Sequence, residues 1–143
     1  MKLDTLLGFA FMDITRLKRQ YMDQQVKALG LTRTQWRIYA WLHTLGTPCP
    51  QKTLLSNIEI DAAHLARVLE QLEKKGHLTR HVPPENRRAL CIELTSEGQA
   101  TLQKIKHILL EEHNIMKRHL SDKQVDEFYQ ALAQIKQNLE ATL

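Results

Sequence analysis

Residues 61 to 95 constrain this chain more than any other stretch. Leu65, Val68, Leu69 and Leu72 recur at three- and four-residue steps, the spacing of one face of a helix. Asp61 precedes that run and can accept from the free amides of a first turn, and Gly76 follows it where a helix ends in a left-handed residue. A short extended run, 78–82, then meets the basic turn Pro83-Pro-Glu-Asn-Arg-Arg88, and 89–95 reads as a returning strand. A helix followed by a two-stranded ribbon with two arginines near its tip suggests one element that fills a groove and one that probes a backbone or minor groove. The segment points to DNA.

The flanking sequence extends the pattern. Leu3, Leu6, Leu7, Ala10, Ile14, Leu17 and Tyr21 form a stripe that predicts one long helix over 3–29, stopped by Gly30. Thr32-Arg-Thr-Gln35 fits a capping box that opens a second helix through Leu45, whose Trp36, Tyr39 and Trp41 make it the expected centre of a core. Gly46-Thr-Pro-Cys-Pro50 is a breaker, and a short helix follows over Gln51 to Asn57. Short helix, tight turn, longer helix is the helix-turn-helix arrangement, and the ribbon turns it into a winged helix. From Ser96 the chain is helical again, with Leu102, Ile105, Leu109, Glu112 and Met116 on one stripe. Ser121-Asp-Lys-Gln124 is a second capping box, leading into Val125, Phe128, Leu132, Ile135 and Leu139. The expected fold is mainly α with a small β-wing (α+β). One domain over 1–143 would hold a winged helix-turn-helix lobe at 31–95 and helical arms at 1–29 and 96–143.

Charge follows the same division. The net charge is +4, yet residues 1–94 hold 14 Lys and Arg against 9 Asp and Glu, and residues 95–143 hold 6 against 7. The positive excess sits with the helix and ribbon, where counterion release favours a polyanion. No apolar run is long enough for a membrane span, and the N-terminus lacks the pattern of a signal peptide, so the expected location is cytoplasmic. Cys49 and Cys91 form no CxxC pair and read as idle thiols; oxidation of one as a regulatory input is the alternative. Among the seven histidines, His107, His113 and His119 are six apart, which turns each by about 240° on a helix and off a shared face. No metal, no cofactor and no enzyme are expected, because no His-Glu-x-x-His, Walker, G-x-G-x-x-G or G-x-S-x-G pattern occurs.

The order of elements resembles the MarR family of bacterial transcription regulators over essentially the whole chain. The specific pieces are Arg67 with Leu72-Glu-Lys-Lys-Gly76, Leu78-Thr-Arg80, Asn86-Arg-Arg88 and Leu94-Thr-Ser-Glu-Gly98. Leu31-Thr-Arg-Thr-Gln-Trp36 and Val68 to Gly76 look closest to the SlyA branch. The resemblance implies a homodimer, held by its first and last two helices, that binds an imperfect palindrome of double-stranded DNA. Helix 61–75 would enter the major groove, Arg87 a narrow A·T-rich minor groove, and Arg88 would brace the wing or meet a phosphate. The family usually has Asp where this chain has Asn86, so the wing is expected to be looser or braced by Glu85.

At the helix start, Ala62 and Ala63 could pack on thymine methyls and His64 could donate to a base or phosphate; Arg67 suits guanine or phosphate. Thr34, Gln51 and Lys52 lie near helix starts and are phosphate candidates. The plain alternative for all of them is a solvated face, and the rival function is a winged-helix module for protein assembly without specific DNA binding. MarR-like proteins often respond to small aromatic acids. A pocket for an aromatic carboxylate here would draw on Arg16 or Arg19, Trp36, Tyr39 and His43, against the alternative that the aromatics are simply core.

Overall fold

The computed structural model describes residues 1–143. Six helices and three short strands follow in order: α1 Leu7–Lys27, α2 Arg33–Leu45, β1 Cys49–Pro50, α3 Gln51–Asn57, α4 Ala62–Lys74, β2 Leu78–His81, β3 Cys91–Leu94, α5 Ser96–Lys117 and α6 Asp122–Thr142. The architecture is mostly helical with one small antiparallel sheet of order β1-β3-β2. The chain divides into two compact units, Met1–Leu110 and Glu111–Leu143.

Local chemistry sets most boundaries in the first unit. Thr32 and Gln35 cap α2 reciprocally: the Gln35 amide donates to the Thr32 hydroxyl at 3.3 Å and the Thr32 amide to Gln35 Oε1 at 3.1 Å. The Asp61 carboxylate accepts from the His64 amide at 2.7 Å and starts α4. Gly76 follows α4 at φ +77°, a left-handed geometry that would strain a side chain. The expected single helix over 3–29 is interrupted at its start. Leu3–Thr5 forms a 3-10 turn and Leu6 is extended at ψ 144°, so the α-helix begins at Leu7. Leu3, Leu6 and Leu7 stay exposed, and the stripe alone does not hold the turn in register.

Sequence reading also missed a strand. Cys49 and Pro50, taken as part of a breaker, pair with Ile92 and Cys91 of β3. That pairing is anchored where the Gln51 amide donates to the Leu90 carbonyl at 2.8 Å. β2 runs antiparallel along the other edge of β3, with Leu78 opposite Leu94 and His81 opposite Cys91.

The core gathers Met22 and Val26 of α1, Ile38, Tyr39 and Leu42 of α2, Leu54 and Ile58 around α3, and Leu65, Val68, Leu69 and Leu72 of α4. Ile92 of β3 and Leu102 and Ile105 of α5 complete it. Each such side chain contributes about 1.5–3 kcal/mol when fully buried. The centre of α2 is therefore Ile38, Tyr39 and Leu42; Trp36 and Trp41 stand at its edge, half-buried. The start of α5 docks closely. The Thr95 hydroxyl donates to the Gly76 carbonyl at 2.5 Å, and a Cβ on Gly98 would lie 2.0 Å from the His77 carbonyl oxygen.

In the second unit the chain leaves α5 through a turn in which His119 takes φ +66°. Ser121 and Gln124 then form the expected capping box, the Gln124 amide donating to the Ser121 hydroxyl at 3.1 Å and the Ser121 amide to Gln124 Oε1 at 2.9 Å.

Candidate nucleic-acid interface

Helix α4 buries one face and leaves the opposite one free. Ala62, Ala63 and Arg67 are exposed, while His64 is half-buried with its backbone held by the Asp61 cap. The helix is also pinned to the wing: the Arg80 guanidinium on β2 meets the Glu73 carboxylate at 3.1 Å. That hydrogen bond holds the Glu73 carboxyl below the usual carboxylate range.

The wing is two consecutive turns, with the Asn86 amide donating to Pro83 O and the Ala89 amide to Asn86 O. The Asn86 side-chain oxygen accepts from the Arg88 amide at 3.1 Å, a local turn that asparagine makes as readily as aspartate. The turn is therefore braced at Asn86 by this neutral backbone contact rather than by Glu85 or an ion pair. The signal was readable as Asn-x-Arg in a turn. Arg87 and Arg88 are both exposed.

Gln51, Lys52 and Arg88 line one cleft of about 430 Å³ between the start of α3 and the wing, with Pro50 and Leu55 as its apolar wall. Gln51 Oε1 is buried there without a hydrogen-bond partner. Thr34 lies elsewhere, half-buried beside Asp23, Lys27 and Arg33 at the junction of α1 and α2.

The residues proposed for an aromatic acid separate into two groups. Arg19 and Trp36 line a cleft of about 560 Å³ with Lys18, Met22, Arg33, Arg37, Asp23 and Glu59. Arg33 is fastened across this cleft to Asp23 at 2.5 Å, and the guanidinium's hydrogen bond lowers the Asp23 carboxyl from its ordinary value. The indole Nε1 of Trp36 is buried and has no partner. Arg16 instead pairs with Asp13 at 2.6 Å, and His43 is exposed near the end of α2. Tyr39 is fully buried, and its hydroxyl hydrogen-bonds Nδ1 of His77; burial pushes its pKa up. These three residues do not line the Arg19–Trp36 cleft. Residue type and helix number do not report which side of a helix a side chain takes.

Residues 31–90, from the α2 cap to the wing, match the MarR family model. A probable transcriptional regulator from Pseudomonas aeruginosa shares 28% identity and has a TM-score of 0.77. The alignment covers 94% of this chain and 99% of that one. The chain has the MarR fold. A MarR transcriptional regulator from Methanosarcina mazei Go1 superimposes with a TM-score of 0.82 at 22% identity, over 96% of this chain and 98% of that one. MepR from S. aureus, solved as a DNA complex, gives 0.81 at 19% identity over 93% and 98%.

No helix is long and apolar enough to cross a membrane. Both cysteines are buried on neighbouring strands, and burial raises the Cys49 thiol.

Proposed function

We propose that this chain is a MarR-type transcription regulator, a cytoplasmic homodimer that binds an imperfectly palindromic, A·T-rich duplex through α4 and the wing. The observation that carries this reading is α4 itself. Its apolar face is fully committed to the core, while Ala62, Ala63 and Arg67 stay exposed on the same lobe as the Lys52–Arg88 cleft and the basic wing tip. In this reading Ala62, Ala63, His64 and Arg67 meet base edges in the major groove. Arg87 enters the minor groove, and Arg88, Lys52 and Gln51 hold phosphate, with Thr34 at the periphery. MepR's solution as a DNA complex supports it by analogy of fold. The Leu31–Trp36 and Val68–Gly76 pieces support a place near the SlyA branch.

Dimerisation is supported by apolar residues that the protomer leaves open. On α1 these are Leu7, Met12, Ile14 and Leu17, and on α6 Phe128, Tyr129 and Leu139. A second copy related by a two-fold axis would cover them and space two α4 helices for a palindrome.

Fluorescence polarisation with random duplex at two salt concentrations tests the DNA reading. A steep salt slope is expected; weak, salt-independent binding would favour a protein-assembly module instead. The burial of both thiols and the raised Cys49 weigh against oxidation as the input, because the thiolate is the reacting form.

An aromatic carboxylate fits the Arg19–Trp36 cleft, which offers an indole beside several cations. Calorimetry with salicylate checks this: saturable binding is expected in wild type and much weakened binding in Arg19→Ala. No heat up to millimolar concentration would defeat the assignment for that class of acid.

A further inference from the structure

Helix α4 is gripped on both flanks by polar side chains. With Leu65, Val68, Leu69 and Leu72 turned into the core, a rotation of 100° per residue carries Gln71 to one flank and Glu73 to the other. On the α2 side, the buried Gln35 uses both ends of its amide. Its Oε1 accepts from the Thr32 backbone and its Nε2 donates to Gln71 Oε1 at 3.2 Å. One turn further, Lys75 Nζ donates to the Gly30 carbonyl at 3.1 Å. On the β2 side Arg80 holds Glu73.

Leucine packing keeps a helix on its core, but apolar contacts are non-directional and tolerate rearrangement at nearly constant volume. Hydrogen bonds are directional and resist rotation. A turn of about 10° at the side-chain radius of a helix displaces its outer atoms by about 1 Å. That is enough to take a side chain on the outer face out of hydrogen-bond range of a base edge while leaving the net charge near phosphates unchanged.

We propose that the Gln35–Gln71 hydrogen bond sets the rotation of α4 about its axis, which makes Gln71 a positioning residue for sequence discrimination. This rests on the DNA-binding reading above, since it concerns how that helix reads sequence.

The test compares affinity for a duplex selected from a random pool by the wild-type protein with affinity for a shuffled duplex. Gln71→Met keeps the length and removes the acceptor. It should lower affinity for the selected duplex about threefold to tenfold and leave the shuffled one unchanged. Gln71→Glu keeps an acceptor for Gln35 Nε2 and should restore the selected-to-shuffled ratio, a quantity in which the added charge largely cancels. If Gln71 acts through Gln35, Gln35→Met with Gln71→Met should lose no more discrimination than either alone. A wild-type ratio in Gln71→Met, or losses that simply add, would overturn the positioning role while DNA binding stands. Failure of the wild-type protein to bind any duplex would remove the DNA reading itself, and this role with it.

Discussion

Helix α4 and helix α6 carry the same kind of signal in sequence and meet opposite fates in the protomer. Leu65, Val68, Leu69 and Leu72 of α4 are all at most 5% exposed. On α6, Leu132 and Ile135 are only half-buried, and Leu139 remains 61% exposed. Apolar spacing of three and four residues announces that a face needs a partner. It does not say whether that partner belongs to the same chain. For α4 the core supplies it; on α6, and on the first turns of α1, large apolar side chains stay exposed.

The sharpest way to break this contrast is to put charge on the α6 stripe. Leu132→Asp with Ile135→Asp should remove dimer formation and operator binding together, a loss of several kcal/mol of association, because two carboxylates would be stranded in an apolar contact. Sedimentation would report a monomer. If the double variant still sediments as a dimer, the α6 face is not the subunit contact.

The mirror experiment is Leu69→Ala on α4. A fully buried leucine truncated in a packed core costs about 2–5 kcal/mol. This loss should appear as a lower denaturation midpoint that still rises with protein concentration, as a dimer's does, whereas the midpoint of the monomeric α6 variant should not depend on concentration. A midpoint for Leu69→Ala that no longer depends on concentration would mean that the two faces are not separable in the way the protomer suggests.

Between these extremes lies the wing, an element held by turns rather than by apolar burial. Arg87→Ala should weaken binding to the selected duplex by about 1–3 kcal/mol with circular dichroism unchanged. Polarisation titrations check it, and an unaltered affinity on an A·T-flanked site would remove Arg87 from the groove.

What was legible in the sequence divides along similar physical lines. Interactions between residues three or four apart could be read directly: the Thr32–Gln35 and Ser121–Gln124 boxes, the Asp61 cap, and the left-handed Gly76 all occur where local chemistry requires them. The start of α1 was misread because a stripe without a partner cannot hold its own first turn. The strand at Cys49–Pro50 was missed because two residues carry no period; only the partner strand 42 residues later defines it. Lateral contacts were equally hidden. The capping role of Gln35 was readable, but its second bond to Gln71 spans 36 residues. Of the five residues considered for an aromatic acid, Arg19 shares one cleft with Trp36 and another with Arg16, while Tyr39 and His43 line neither.

The smallest expected effect lies where the end of α4 meets α2. Nδ1 of His77 hydrogen-bonds the buried Tyr39 hydroxyl, so with the ring neutral and its proton on Nε2 the hydroxyl donates. Burial first, and the ammonium of Lys75 second, lower the His77 pKa from its ordinary value, with Glu97 opposing. A second proton would leave two hydrogens between one oxygen and one nitrogen, so one donor would lose its partner. The unfolded chain therefore takes up this proton first, near the ordinary histidine value of about 6.5. The contribution to stability is full above that pH and declines as pH falls through it toward the lower folded value. His77→Gln keeps an acceptor but does not titrate in this range. Denaturation midpoints between about pH 7.5 and 5.5 should therefore fall more steeply for wild type than for the variant. The window stays above the range in which the lowered carboxyls of Asp23 and Glu73 would be protonated. Parallel profiles for the two proteins would mean that protonation of His77 does not oppose folding, and that the Tyr39 contact survives it with the bond reversed.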